Sequence, residues 1–241
     1  MPQRRVLVVV PAFNEQECLP GVLAELAAAL PQADVLVVDD ASTDRTRQAA
    51  LGAGVRVLSL PINLGVGGAM RAGYRYALRF GYDVVLQVDG DGQHDPRDAP
   101  ALLAALDDGA DVVIGARFAG TGEYDVRGPR RWAMRLLASS LSRRTGTRLT
   151  DTTSGFRACS RRAVALFARH YPAEYLGDTV EALVLASRSG LRVAQVPVTM
   201  RPRAGGRPSQ SPLRAGAYLG RAALALVLAR VRRYEPVEDA A

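Results

Sequence analysis

The stretch DVVLQVDGDGQ, residues 83–93, joins an apolar strand pattern to a group of acidic side chains. Residues 83–88 predict a buried strand, and Asp89, Asp91 and Gln93 follow it directly. Two carboxylates and an amide at alternate positions offer the hard oxygen ligands that Mg²⁺ and Mn²⁺ prefer. The glycines between them let the backbone approach a ligand closely. An acidic turn without a ligand has the same composition, so the surrounding sequence decides between the two interpretations.

Around this stretch, strand and helix patterns alternate. Further strands are predicted over residues 6–10, 34–38, 55–60 and 111–115, and helices over residues 19–30, from about 45, and over 65–80 and 97–106. This alternation predicts an α/β fold with a mainly parallel sheet flanked by helices.

Polar residues follow four of these strands, namely Asn14-Glu15, Asp39-Asp40, Asn63 and the acidic stretch itself. Because ligands bind beyond the carboxyl ends of strands in such sheets, we expect one site there. Asp39 and Asp40 suit hydrogen bonds from a ribose or a base, but also capping of the following helix, and both alternatives stay open.

Glycines cluster in NLGVGGA, residues 63–69, at the start of a predicted helix. The amide groups at a helix N-terminus favour anions, so Gly65 and Gly68 are candidates for phosphate binding. Close packing of the helix on the sheet explains Gly67 and Gly68 equally well.

The second half of the chain changes character. An amphipathic helix is predicted over residues 130–144, another helix over 177–189 and a late strand over 192–198. Residues 213–233 form a mostly apolar helix pattern with arginines on one narrow stripe. We expect one domain over residues 1–210 and an amphipathic interface helix with a short tail over 211–241. That helix, and the one over 130–144, would contact an anionic membrane, or pack against a second copy or a membrane-protein partner.

Composition limits the partners. The 241 residues carry a net charge of +7, and all 31 basic residues are arginines, which favours acidic partners. Nucleic acid is not expected, because no helix-turn-helix, zinc-finger or aromatic ribonucleoprotein motif occurs.

Two cysteines without metal spacing indicate a reduced, cytoplasmic compartment. No segment reaches the ~20 apolar residues of a membrane-spanning helix. His94 and His170 are isolated and match no zinc or base–nucleophile pattern.

Five ordered motifs carry a family resemblance: PAFNE (11–15), DDASTDRT (39–46), NLGVGGA (63–69), DGDGQ (89–93) and TSGFR (153–157). Together they resemble family 2 glycosyltransferases of the Rossmann-like GT-A fold, and within them the dolichol-phosphate mannosyltransferase-like group. The resemblance spans roughly residues 5–207.

The resemblance implies a nucleotide-sugar donor and roles for individual residues. With the glycine-rich segment, the expected nucleotide-binding set is Pro11, Ala12, Phe13, Asn14, Glu15, Asp39, Asp40, Gly65, Gly68, Asp89, Gly90 and Asp91. Mg²⁺ or Mn²⁺ would be held by Asp89, Asp91 and Gln93. The diphosphate and acceptor would contact Arg117, Arg131, Ser154, Arg201, Arg203 and Arg207, the last three in a basic lid.

The implied reaction is direct displacement with inversion, and Asp91, Arg117, Asp178 and Glu181 are the catalytic candidates. A polyprenyl or dolichyl phosphate acceptor is already anionic and needs no general base, whereas a hydroxyl acceptor would need Asp178 or Glu181. Mannose or glucose is the expected sugar, and the enzyme would act peripherally at the inner face of the cell membrane. A nucleotide-binding regulator without turnover is the alternative from another class. A sugar nucleotidylyltransferase is disfavoured, because PAFNE is not a triphosphate-binding loop.

Overall fold

The computed structural model describes residues 4–117, 139, 142–143, 146–172, 178–203 and 205. The predicted helix over 130–144 lies almost wholly outside these residues, and the C-terminal helix over 213–233 lies entirely outside them. The proposed boundary between residues 210 and 211 also lies outside them. Within the described ranges, no helix is long and apolar enough to cross a membrane.

The described residues form a seven-stranded sheet with helices on both faces. The strands are β1 (Val6–Ala12), β2 (Asp34–Asp39), β3 (Arg56–Ser59), β4 (Val84–Gln87), β5 (Val112–Ala116), β6 (Arg157–Ser160) and β7 (Val193–Pro197). The helices are α1 (Leu19–Ala29), α2 (Thr46–Gly52), α3 (Gly65–Arg79), α4 (Ala99–Asp107), α5 (Arg161–His170) and α6 (Asp178–Arg188), with a short 3-10 helix at Pro96–Asp98. The α/β prediction is confirmed, with element ends shifted by a few residues.

The sheet order is β3-β2-β1-β4-β6-β5-β7. All neighbouring strands are parallel except β6, which runs antiparallel between β4 and β5. The sequence patterns missed β6 and the helix α5 that follows it. The four residues of β6 include a buried arginine, an alanine and a cysteine, so they form no β-branched run by which a strand is recognised.

The uniform apolar character of β1 follows from cover on both faces. Leu7 and Val9 pack into one core with the side chains of α3 and α5, whereas Val8 and Val10 pack with α1 and α4 on the other side. All four side chains are fully buried, and each contributes about 1.5–3 kcal/mol relative to exposure. This buried interior strand places the residues from Pro11 onward at the carboxyl edge of the sheet.

Close approach of α3 to β1 depends on glycine. A Cβ atom on Gly73 would lie 2.6 Å from Cγ1 of Val9, and one on Gly68 would lie 2.3 Å from Cβ of Leu64. Gly73 thus allows α3 to approach β1, whereas the contact at Gly68 is with the residue that precedes its own helix, so both alternatives for Gly68 stay open. The close packing also fixes where the N-terminus of α3 meets the sheet edge.

Candidate active site

A cavity of about 220 Å³ opens at the carboxyl ends of β1, β2 and β4. The structure brings together here most of the side chains predicted to bind a nucleotide. The lining residues are Pro11, Ala12, Phe13, Glu15, Asp40, Asn63, Gly65, Val66, Ala69, Asp89, Gly90, Asp91 and Arg203. The lining thus combines the carboxyl ends of the strands and the loops after them with the first turn of α3 and with Arg203.

Three candidates for nucleotide binding do not line this cavity: Asn14, Asp39 and Gly68. The Oδ1 atom of Asn14 accepts a hydrogen bond from the backbone of Thr43 at 2.8 Å, and Oδ1 of Asp39 accepts one from the backbone of Ser42 at 3.1 Å. Both side chains thus stabilise the loops after β1 and β2. These two side chains stabilise the loops at the edge of the site and do not line the cavity.

Asp40 caps α3, a helix that begins 25 residues later in the chain. Its carboxylate accepts hydrogen bonds from the backbone N–H groups of Leu64 at 2.7 Å and Gly65 at 2.8 Å. At the start of α2, the helix that follows Asp40 in the chain, it is instead the carboxylate of Asp44 that accepts the N–H of Thr46. Burial raises the pKa of Asp40, and the two N–H donors oppose that rise. Asp40 therefore occupies two of the backbone amides at this helix terminus.

The acidic loop after β4 presents Asp89 and Asp91 to the cavity. The backbone N–H of Gln93 donates to Oδ1 of Asp91 at 3.0 Å, across a turn that Gly92 enters with a φ of 77°. On the other side, Nε2 of Gln87 donates to Oδ1 of Asp89 at 3.1 Å. Burial and then the charge of Asp89 raise the pKa of Asp91, as expected for two acids that share a confined space. Gln93, the third predicted metal ligand, does not line the cavity.

Arg203 reaches this acidic pair from the segment after β7. Its guanidinium donates to Oδ2 of Asp91 at 3.2 Å and also to Oε1 of Glu15. The other oxygen of Glu15 is buried, and none of the described residues gives it a hydrogen bond. Burial raises the pKa of Glu15 and the charge of Arg203 opposes the rise. The site therefore holds a cation already, in the form of an arginine side chain.

The other predicted lid arginines differ in placement. Arg201 forms ion pairs at 2.7 Å with Glu25 and with Asp95, and it does not line the cavity. Arg207 and Arg131 lie outside the described residues. Of the three lid candidates, the described chain thus brings Arg203 alone to the cavity.

Arg117 is fixed by a fully buried acid. Its Nε and Nη2 atoms donate to the two carboxylate oxygens of Asp151 at 2.6 and 3.1 Å, and Nη2 also donates to Oγ1 of Thr153 at 3.1 Å. Burial would raise the pKa of Asp151, but the hydrogen bonds and charge of Arg117 outweigh it, and the pKa is lowered. Ser154, a candidate for acceptor binding, is buried and accepts the N–H of Phe156 with its hydroxyl. Neither Arg117 nor Ser154 lines the cavity.

The segment TSGFR (153–157) packs against the acidic loop. A Cβ atom on Gly155 would lie 2.7 Å from Oδ2 of Asp89, so glycine is needed beside that carboxylate. The buried Arg157 donates to the backbone oxygens of Thr152, Ser154 and Thr179. The last contact ties the segment to the first turn of α6, which contains Glu181 and the backbone of Asp178; the side chain of Asp178 lies outside the described part.

Sequence analysis gave no role to Asp151, Gly155 or Arg157 individually, and no catalytic or metal-ligating role to His94. His94 is buried, and its Nδ1 atom accepts the backbone N–H of Asp89 at 3.1 Å. Only the position of His94 directly after DGDGQ could have drawn attention to it. Asp151 is likewise visible only as a neighbour of the TSGFR motif.

A mostly parallel sheet with an acidic cavity at its carboxyl edge is an α/β architecture in which ligands bind at the strand ends, and the similar solved structures are glycosyltransferases of the GT-A fold. The chain belongs to glycosyl transferase family 2, whose sequence model matches residues 7–167. It is accordingly a glycosyltransferase family 2 enzyme.

Similar proteins support this membership along most of the chain. An undecaprenyl-phosphate mannosyltransferase of Micrococcus luteus is 40% identical over 217 residues, covering 86% of this chain and 88% of that protein. A polyprenol monophosphomannose synthase of Mycolicibacterium smegmatis is 33% identical over 220 residues, covering 84% and 79%. A glucosyl-3-phosphoglycerate synthase of Mycobacterium tuberculosis, crystallised with Mn²⁺, UDP-glucose and phosphoglyceric acid, is 25% identical with a TM-score of 0.73, covering 96% of this chain and 82% of that one.

Proposed function

We propose that this enzyme transfers a hexose, either mannose or glucose, from a nucleotide diphosphate sugar to a polyprenyl phosphate, with inversion at the anomeric carbon. The observation that carries the proposal is the acidic pair Asp89 and Asp91 in the cavity that also contains the residues expected to bind the nucleotide. The two relatives with polyprenyl-phosphate or polyprenol names support the acceptor.

The residues present fit a divalent cation, Mg²⁺ or Mn²⁺. Asp89 and Asp91 offer carboxylate oxygens to one space, and the Arg203 guanidinium beside Asp91 stands in for a positive charge there. Within the described residues no three His, Cys, Asp or Glu side chains form a ready metal cluster. This agrees with a cation held by one or two carboxylates and otherwise by substrate phosphates and water. When bound, the cation would neutralise the departing nucleoside diphosphate.

In this proposal, the side chains of the protein bind different parts of the donor and the acceptor. Pro11, Phe13 and Glu15 surround the nucleoside, while Asp40 keeps the start of α3 in place beside it. Arg203 exchanges its acidic partners for the diphosphate oxygens of the donor. Arg117, oriented by Asp151, presents its guanidinium toward the sugar and the acceptor phosphate. These residue roles are part of the proposal.

In the displacement, an oxygen of the lipid phosphate forms a bond to the anomeric carbon as the bond from that carbon to the diphosphate oxygen breaks. The electron pair leaves with the nucleoside diphosphate. Because the attacking phosphate carries no proton on that oxygen near neutral pH, no general base is required. The step therefore needs orientation and charge neutralisation, which the arginines would supply together with a cation held by Asp89 and Asp91.

The test is a transfer assay with purified enzyme, a short-chain polyprenyl phosphate, Mn²⁺ and a panel of GDP-, UDP- and dTDP-sugars. We expect one nucleotide class to yield an organic-soluble glycosyl product together with free nucleoside diphosphate. Asp91→Ala should reduce the rate by more than about 100-fold. Asp107→Asn, which removes an exposed acid paired with Arg4, is the control and should leave it unchanged. Undiminished transfer by Asp91→Ala would refute the proposal, and donor binding without product would favour a regulator.

A hydroxyl acceptor, such as a glycan or a small metabolite, is the second candidate. The observation in its favour is the hydrogen bond from Arg157 to Thr179, which ties the turn bearing Asp178 and Glu181 to the site segment. That acceptor would need one of these acids as a general base.

A lipid acceptor places the enzyme at a membrane surface, and we include a peripheral location at the inner face of the cell membrane in the proposal. The net charge of +7 favours anionic lipid headgroups. Co-sedimentation with vesicles that contain anionic lipid should fall steeply as salt is raised, whereas neutral vesicles should bind little. Removal of residues 211–241 would show whether the C-terminal segment contributes to membrane binding, to dimerisation or to a membrane-protein contact.

A further inference from the structure

His94 bridges the two ends of the acidic loop. Its relative exposure is 4%, and its Nδ1 atom lies 3.1 Å from the backbone nitrogen of Asp89, which donates to it. An Nδ1 atom that accepts a hydrogen bond carries no proton, so the neutral ring bears its proton on Nε2. Nε2 lies 3.7 Å from Oδ2 of the same aspartate. Both nitrogens of the imidazole thus face Asp89.

The hydrogen bond from the Asp89 N–H to His94 lies at the point where the chain leaves the sheet. The N–H of Val88 still donates to the backbone oxygen of Val9 at 3.1 Å, but the next N–H, that of Asp89, leaves the sheet pairing. In the described part of the chain, His94 is the acceptor that this amide has inside a part-buried loop, and loss of that acceptor is therefore unfavourable. The contact therefore sets the direction of the backbone at the first acidic residue.

His94 is held in place both by its ring and by the backbone around it. It stacks on the fully buried ring of Phe156, with centroids 5.0 Å apart and an interplanar angle of 16°. The backbone of His94 pairs with that of Met200, and the backbone oxygen of Gln93 accepts the N–H of Arg201 at 2.9 Å. An imidazole fixed in this way can hold Asp89 in one orientation while Gly155 leaves room for the carboxylate.

We propose that His94 is a positioning residue for the acidic pair, acting through the Nδ1 acceptor that fixes the backbone of Asp89. The inference rests on the proposed function, since it concerns the cation that Asp89 and Asp91 are proposed to hold. Partners of this kind around metal ligands change metal affinity by about 10–100-fold when removed. A histidine that only filled the core beside Phe156 would be replaceable by any ring of similar size.

Two variants separate these roles. Asn places an oxygen acceptor close to the position of Nδ1, so His94→Asn should keep Mn²⁺ affinity within about threefold. His94→Phe keeps a ring on Phe156 but removes the acceptor, and we expect about tenfold weaker Mn²⁺ binding. Binding is measured by electron paramagnetic resonance with Mn²⁺ alone and with Mn²⁺ plus GDP or UDP, and the melting temperature of each metal-free variant is recorded. Equal Mn²⁺ affinity of His94→Phe and the wild type would overturn the role of His94, as would equal weakening in both variants.

The tautomer gives a second readout that needs neither a variant nor a metal. Nitrogen-15 spectra of the metal-free wild type should show the His94 proton on Nε2 and an unprotonated Nδ1 coupled to the Asp89 amide. A proton on Nδ1 would overturn the inference. Failure of the wild type to bind Mn²⁺ under any of the nucleotide conditions would refute the proposed function instead, while leaving the tautomer result to stand by itself.

Discussion

Arg203 donates to Asp91 across 112 positions of sequence, with Nη1 3.2 Å from Oδ2, inside the cavity where a divalent cation is proposed to bind. The same guanidinium also pairs with Glu15. A cation and this arginine cannot occupy the acidic pair together without like-charge repulsion. If the proposed cation binds there, Arg203 would compete with it until the donor diphosphate offers the guanidinium other oxygens.

Replacement of Arg203 should consequently strengthen metal binding in the absence of nucleotide. A hydrogen bond between charged groups is worth about 1.5–3 kcal/mol, so we expect Arg203→Gln to bind Mn²⁺ about tenfold more tightly. The same variant should bind the nucleotide sugar more weakly, because it loses a diphosphate contact. Isothermal titration calorimetry with Mn²⁺ alone measures the first effect, and the KM of the donor the second.

Arg201→Gln is the matched control for Arg203. It removes the same charge from the same segment, but its partners, Glu25 and Asp95, stand apart from the cavity lining. Its Mn²⁺ affinity should match the wild type at physiological salt, where distant charges are screened. Unchanged or weaker Mn²⁺ binding by Arg203→Gln would contradict the competition.

Gly155→Ala should damage activity more than stability. The added Cβ would stand 2.7 and 2.9 Å from the two carboxylate oxygens of Asp89, and a carboxylate can move away without unfolding the sheet. A displacement of about 1 Å in an active site can lower the rate by about 100-fold, which we expect for kcat. Gly21→Ala, where nothing lies within 4 Å of the new Cβ, should be neutral or slightly stabilising. Full activity of Gly155→Ala would mean that the position of Asp89 is not critical.

Asp151→Asn should lower stability by about 2 kcal/mol, the loss of a hydrogen-bonded charge pair. The lowered pKa of Asp151 means that the folded state holds the charged carboxylate better than the unfolded state does. Its contribution is thus complete above the ordinary pKa of 3.8 and is lost as the pH falls below that value through the folded-state pKa. Urea unfolding of the wild type and the variant should therefore differ near neutral pH and converge in acid.

The exposed pair of Arg4 and Asp107 provides the comparison, since Asp107→Asn should change stability by less than about 1 kcal/mol at any pH. A constant difference down to pH 2 would contradict the assignment.

Acidic residues of α6 should be dispensable with a lipid phosphate acceptor. Loss of a general base typically lowers a rate by about 10²–10⁴-fold, whereas an anionic phosphate needs none. We therefore expect Asp178→Asn and Glu181→Gln to retain polyprenyl phosphate glycosylation within about tenfold, measured as kcat at saturating donor. A loss of about 100-fold or more in either variant would contradict the expectation that a lipid phosphate needs no general base.

Nucleotide-sugar binding should stabilise the fold only together with a divalent cation. At 100 times the dissociation constant, a ligand adds about 2.7 kcal/mol, which corresponds to a rise of about 5–10 °C in the melting temperature of a chain of this size. A thermal-shift screen of GDP-, UDP- and dTDP-sugars with Mn²⁺ or Mg²⁺ should show this rise for one nucleotide class. An equal rise in the presence of a chelator would argue against the cation.

The sequence by itself determined the α/β class and the parallel strands β1, β2 and β4, whose carboxyl ends line the cavity. Apolar runs such as residues 6–10 are local signals of buried strands, and alternation with helix patterns leaves parallel pairing as the solution. Once the strands are parallel, residues that follow them, such as Glu15, Asp40 and Asp89, must meet at one edge. These conclusions need only short-range periodicity and a topological rule.

Tertiary structure alone decided which side chain contacts which. Asp40 caps a helix 25 residues away, Arg203 pairs with Asp91, and Gly155 packs against Asp89. The short strand β6 inserts antiparallel between β4 and β5 without a periodic signal of its own. Such contacts join segments far apart in the chain, and loop packing sets them to within an ångström. Hydrophobic periodicity records only which face of an element is buried, so it carries no information about these partners.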